Sequence, residues 1–154
     1  MDERARLLTC LDVPRWADEV LAAGPFDSLE AMEKAMAEIA AGITDEELEQ
    51  ALARHPRIGE RADAATHDAR HSTREQAGVD SEDAETARQL AQGNRAYEQR
   101  FGRVFIIRAA GRDGPEVLAE LRRRLGTTDE VERAETINQL TQIALLRNRE
   151  ALSR

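Results

Sequence analysis

The chain has 154 residues, 41% of them apolar and 34% charged, with a formal net charge of −8. That length suits one domain whose core can form without a disulfide or a metal, and the apolar share excludes disorder of the whole chain. The acidic balance argues against a nucleic-acid partner, whose recognition calls for a basic footprint. Aromatic residues are scarce, namely Trp16, Phe26, Tyr97, Phe101 and Phe105. The core must therefore come from Leu, Ile, Val, Met and Ala, which together with Glu and Arg favour helix. The expected class is all-α, a single compact multi-helix bundle domain spanning 1–154.

Cys10 stands alone, so no intrachain disulfide can form and a reducing compartment is expected. No run of 18 apolar residues exists to cross a membrane. The opening MDERARLLTC lacks the apolar stretch of a signal peptide, and Leu152-Ser153-Arg154 is not a peroxisomal address. A cytoplasmic protein with no membrane association is the expectation. Lys34 is the sole lysine against 21 arginines, a skew that reads as codon composition rather than function.

Pro14 suits a first helical turn, and Trp16, Ala17, Val20 and Leu21 follow at helical spacing until Gly24-Pro25 stops the helix. Asp27 or Ser28 caps the next, with Leu29, Met32, Met36 and Ile39 on one face and Gly42 at its end. Thr44 and Glu47 form a capping box that opens a helix through Leu48, Ala51 and Leu52. It must stop near His55, because Pro56 drives its predecessor out of the α region. Residues 56–71 have few large apolar side chains and read as a long loop, of the kind that is often functional. Ser72 and Glu75 make a second capping box, and Gly78 breaks that turn. Ser81 caps a long helix carrying Ala84, Ala87, Leu90, Ala91, Asn94 and Tyr97 to Phe101-Gly102.

Val104-Phe105-Ile106-Ile107 is buried extended chain or a helix start, since no second strand signal pairs with it. Gly114-Pro115 opens a helix with Val117, Leu118, Leu121 and Leu125 inward, closed by Gly126. Thr128 or Asp129 caps a last helix running to about Leu152.

Three positions look costly. Ile137, Leu140, Ala144, Arg147 and Ala151 share one stripe of the last helix, so Arg147 projects among apolar neighbours while Arg133 and Arg149 lie on the wet side. A buried guanidinium calls for an anion. It is either an internal salt bridge, an Arg snorkelling from the stripe's edge, or a clamp for a carboxylate ligand. His55, at a helix end beside a rigid Pro, is either a plain C-cap or an imidazole whose charge the helix terminus tunes. Glu75 is either half of a capping box or a carboxylate set, with Gln76, beside main-chain N–H groups that can bind ligand oxygens. His67 and His71 are four apart, near Asp63 and Asp68, but the segment is not convincingly helical and no third ligand has suitable spacing, so no metal is expected. Arg122-Arg123-Arg124 reads as a solvated basic cluster at a helix C-terminus.

The stretches HPRIGE (55–60), STREQAGV (72–79), NRAYEQRFGRVFIIRAAGR (94–112) and the terminal L-x-x-I-A-x-L-R ending at Arg147 are similar to the OHCU decarboxylase family. The resemblance covers most of the chain, from about Trp16 onwards. Its most specific element is the set HP, then S-x-x-EQ with Glu75 twenty residues after His55, then YE-x-RFG-x-VFII. It implies an all-α fold, a homodimer, and decarboxylation of 2-oxo-4-hydroxy-4-carboxy-5-ureidoimidazoline to (S)-allantoin in purine breakdown, with no cofactor. It implies catalytic roles for His55, Glu75 and Arg147. Substrate contacts would come from Pro56, Ser72 and Gln76, and from the backbone around Ile106 and Ile107. Two departures stand out: His71 replaces an aromatic residue before the Ser, and Asn148 replaces a Leu after the Arg. From another class, the alternative is a non-catalytic helical module for ligand binding or protein interaction.

Overall fold

The computed structural model describes residues 2–55 and 84–153, which form seven α-helices and no strand. They are α1 (Glu3–Cys10), α2 (Pro14–Ala23), α3 (Leu29–Ala40), α4 (Asp45–Leu52), α5 (Ala84–Phe101), α6 (Gly114–Leu125) and α7 (Asp129–Leu152). The chain divides into two compact units, one of residues 1–54 with 137–154 and the other of residues 55–136.

In the first unit, α1 is an element that the sequence reading did not assign. Its signal is a local one: Asp2 accepts a hydrogen bond from the Ala5 N–H and so caps the helix. Pro14 opens α2, and the buried Trp16, Ala17 and Val20 form its inner face. The Trp16 indole N–H donates to the Met36 carbonyl at 3.0 Å, which satisfies its one polar atom in the core. Ser28 rather than Asp27 caps α3, through the Ala31 N–H. The inner stripe of α3 is Met32, Met36 and Ala40, four apart, whereas Leu29 at the first turn is exposed. The capping box of α4 is present in full, with Thr44 bonded to the Glu47 N–H and Glu47 to the Thr44 N–H.

The second unit packs α5 against α6 over a core of Leu90, Tyr97, Phe105, Ile107, Ala109, Val117, Leu118 and Leu121. The inner face of α5 is Thr86, Leu90, Asn94 and Tyr97. Of the residues named along this helix, Ala84, Ala87 and Ala91 are exposed. Small residues bury too little area to set the rotation of a helix, so the larger Leu90 and Tyr97 decide it. The run from Val104 to Ile107 takes neither helix nor strand, and Phe105, Ile106 and Ile107 are all buried in succession. The run is therefore buried irregular chain rather than a helix start.

Arg124 corrects the reading of the arginine cluster. Arg122 and Arg123 are exposed, but Arg124 is 1% exposed, beside Glu132 at 0%. Its Nε donates to Glu132 at 2.9 Å, and its Nη2 makes a further close ion pair with the same carboxylate. The Tyr97 hydroxyl also donates to Glu132, and the Thr136 hydroxyl lies 3.3 Å from Arg124 Nη2. Burial and the neighbouring carboxylate push the Tyr97 phenol up to about 12. The guanidinium lies 4.6 Å from the centre of the Phe105 ring. The polar character of Arg124 hid its place, seven residues after Val117 and three after Leu121, on the apolar stripe.

Two stability predictions follow from these contacts. A Cβ on Gly93 would meet Leu121 Cδ2 at 2.4 Å and Cγ at 3.1 Å, inside a core where Leu121 is fully buried. Overpacking of about 1–3 kcal/mol exceeds the helix gain of about 1 kcal/mol, so Gly93→Ala should lower the thermal midpoint, and adding Leu121→Val should recover part of the loss. Glu47 is held down to about 2, first by its hydrogen bond from Arg15 and then by the Thr44 N–H. A depressed carboxylate stabilises the fold above its unfolded value of 4.5 and loses that contribution as pH falls towards 2. Glu47→Ala should therefore cost about 1 kcal/mol at pH 7, and urea titrations should show the gap to wild type closing between pH 4.5 and 2.

Candidate active site

Helix α4 leads the chain to His55. Leu48, Ala51 and Leu52 anchor the helix in its unit, and its last turn is closed by main-chain donors. The Ala53 N–H bonds to the Glu49 carbonyl at 3.1 Å and the Arg54 N–H to the Ala51 carbonyl at 3.3 Å. The helix thus ends at Leu52, three residues before the stop expected at His55. His55 follows in a bend and is half-buried. Its predecessor Arg54 pairs with Asp12 at 3.4 Å, which ties the chain down just before the imidazole.

Arg147 stands where the helical spacing put it. Ile137, Leu140, Ala144 and Arg147 are buried on α7, and Ala151 is half-buried. The guanidinium is 2% exposed, and its Nη1 donates to the Thr9 carbonyl at 3.3 Å. Such burial excludes the snorkelling alternative. Arg147 also bears on Cys10: burial pushes that thiol up to about 11, while the charges of Arg147 and then Arg6 pull the other way. On the wet side, Arg149 is exposed and grips Glu33 at 2.6 and 2.8 Å, which holds that carboxyl below its usual range. Arg133 is half-buried rather than fully exposed.

Asn148, one of the two departures from the family pattern, is fully buried. Its Oδ1 accepts from Arg6 Nε at 3.1 Å, and its amide nitrogen lies 3.8 Å from the sulfurs of Met32 and Met36. A Leu there would remove the acceptor that Arg6 uses, so the Asn is matched to its own surroundings.

Ile106 and Ile107 are 5% and 2% exposed. The Ile106 carbonyl accepts from Arg124 Nη1 at 2.6 Å, within the network around Glu132. The sequence reading missed Arg124 and Glu132 as partners of this run, although both fall on apolar stripes of their helices. Pro56, Ser72, Glu75 and Gln76 lie outside the described residues, as do His67 and His71. His55 and Arg147 belong to different units. Among the described residues no group of His, Cys, Asp and Glu could hold a metal ion, and no helix is long and apolar enough to cross a membrane.

Comparison with known proteins gives a consistent result. The model of the OHCU decarboxylase family matches residues 2–149. A 2-oxo-4-hydroxy-4-carboxy-5-ureidoimidazoline decarboxylase of Haloferax volcanii is 26% identical over 140 residues, which is 91% of this chain and 82% of that protein. A crystal structure of OHCU decarboxylase in the presence of (S)-allantoin is similar, with a TM-score of 0.82 and 23% identity over 99% of this chain and all of the other. A crystal structure of (S)-allantoin synthase has a TM-score of 0.72 and 18% identity, covering 96% of this chain and 48% of that one. At these identities the structural likeness establishes the all-α fold, and the family match reaches further. With that match running through His55, Glu75 and Arg147, the chain belongs to the OHCU decarboxylase family and is a decarboxylase by class.

Proposed function

We propose that the chain decarboxylates 2-oxo-4-hydroxy-4-carboxy-5-ureidoimidazoline to (S)-allantoin without a cofactor, with His55, Glu75 and Arg147 as its catalytic residues. The observation that carries this reading is the family match over residues 2–149. The burial of Arg147 on an apolar stripe supports its role as a clamp for an anionic substrate.

The substrate's own chemistry accounts for the reaction. The carbon that loses CO2 bears a hydroxyl and adjoins a C=N bond of the ring. When the C–C bond to the carboxylate breaks, its electron pair forms a double bond to the neighbouring carbon, and the C=N pair moves onto nitrogen, which takes a proton. The ring thus serves as its own electron sink. His55 takes the hydroxyl proton as that oxygen becomes the ring carbonyl, and Glu75 delivers a proton to one face of the adjacent carbon. Carboxylate and proton in, CO2 and one enantiomer of allantoin out, the balance closes. Arg147 holds an anionic or carbonyl group of the substrate in a planar two-bond grip. Pro56, Ser72, Gln76 and the backbone at Ile106 and Ile107 fix the ring and ureido groups.

Circular dichroism of freshly made substrate should show one allantoin enantiomer accumulating with wild type, where the uncatalysed reaction gives the racemate. A racemate formed at the uncatalysed rate would reject the reading. His55→Ala should lower the catalysed rate by about 10²–10⁴ with an unchanged helical spectrum, and wild-type turnover would remove His55 from the mechanism. Glu75→Gln keeps a capping side chain, so a comparable loss of rate at unchanged melting temperature marks Glu75 as a proton carrier. For Arg147→Lys, a rise in KM of about tenfold or more with a retained melting temperature marks the clamp. A large fall in melting temperature with normal kinetics marks a purely internal role.

A further inference from the structure

Arg124 is bound on one side to Glu132 and on the other to a main-chain carbonyl. Nε and Nη2 engage the carboxylate, and this leaves Nη1 to the Ile106 carbonyl at 2.6 Å. All of these groups are within one unit of the chain, and Arg124, Glu132, Tyr97 and Thr136 are buried. A charged donor at that distance makes a strong hydrogen bond, which fixes the direction of the carbonyl.

The geometry of a trans peptide then fixes something else. The C=O of Ile106 and the N–H of Ile107 belong to one planar unit and point in opposite directions. With the carbonyl held towards Arg124, the Ile107 N–H must face away from it. Among the described residues this N–H makes no hydrogen bond, although Ile107 is 2% exposed. Buried main-chain N–H groups are almost always paired, so an unpaired one held in a fixed direction is a donor kept for a partner.

We infer that Arg124 is a positioning residue: through the Ile106 carbonyl it holds the Ile107 N–H towards a carbonyl or carboxylate oxygen of the substrate. This rests on the reading of function above, which already places the backbone of Ile106 and Ile107 at the substrate. What is added is the cause of the peptide's orientation. Glu132 and Tyr97 keep the guanidinium in place, and Phe105 covers its face. The arrangement also couples the two ends of the peptide. When the N–H donates to a ligand, the amide polarises and its carbonyl becomes a better acceptor for Arg124.

Two measurements test this. In the first, isotopically labelled wild type is titrated with (S)-allantoin. The Ile107 amide proton should shift downfield and its exchange slow about tenfold, while the Arg124 guanidinium protons shift together with it. If either resonance stays still while others move, the inference is overturned and the function stands. If no resonance moves at saturation and wild type also yields racemic allantoin, both fall.

In the second, the buried network is replaced as a set by apolar residues, Arg124→Met with Glu132→Leu and Tyr97→Phe. Exchanging a whole buried ion pair for apolar groups of similar size is often tolerated, unlike removing one partner. The folded triple variant should show KM raised about tenfold and kcat changed less than threefold, the mark of lost binding rather than lost folding. A folded variant with wild-type KM would overturn the inference. Should the variant not fold, the wild-type titration alone decides.

Discussion

A guanidinium and a carboxylate with almost no access to water fix how four described segments meet within the unit of residues 55–136. Glu132 lies at the start of α7 and Arg124 at the end of α6, only eight residues apart, with the Gly126 turn between them. Tyr97 brings α5 to the same carboxylate, and the Ile106 carbonyl brings the run between α5 and α6 to the same guanidinium. Removing one member would leave a bare charge in the core, at a cost of about 3–5 kcal/mol. The pair's net contribution to stability is small by comparison, because both ions lost their water on folding. Its value is in specifying how four segments meet.

Two kinds of arginine stand out among the described residues. Among the described residues several are exposed and paired, such as Arg149 with Glu33, Arg123 with Glu120 and Glu135, and Arg88 with Glu85. Exposed pairs of this kind contribute ~0–1 kcal/mol each. Arg124 and Arg147 are different, being almost wholly buried. Each sits on the apolar stripe of its helix with a main-chain carbonyl as a partner, Ile106 for one and Thr9 for the other. Arg124 has its carboxylate in Glu132.

Much of this was legible before the fold was known, and the reasons are local. The caps Ser28 and Thr44, the Pro14 start and the Gly126 stop act over three or four residues, so their signals survive in a linear sequence. Arg147 was legible because helical periodicity alone assigns a face. The same test applied to Arg124 and Glu132 would have found them, but a basic run at a helix end has an ordinary explanation in the helix dipole, and that explanation concealed the third arginine. The rotation of α5 was not legible in the same way, because alanines give weak information about which side is inside. Helix α1 went unassigned because only Leu7 and Cys10 of its residues are buried, too few to set up a period.

Composition and periodicity therefore determined the all-α class, the extent of most helices and the burial of Arg147, and the motifs around His55, Glu75 and Arg147 led to the family. These depend on interactions between near neighbours, or on apolar residues repeating with the turn of a helix. Tertiary structure alone decided that Arg124 meets Glu132, that Asn148 accepts from Arg6, and that the Ile106 carbonyl is held by a charge 18 residues away. A hydrogen bond depends on the direction and distance of two groups in space, and no spacing along the chain records either once the chain has turned back on itself.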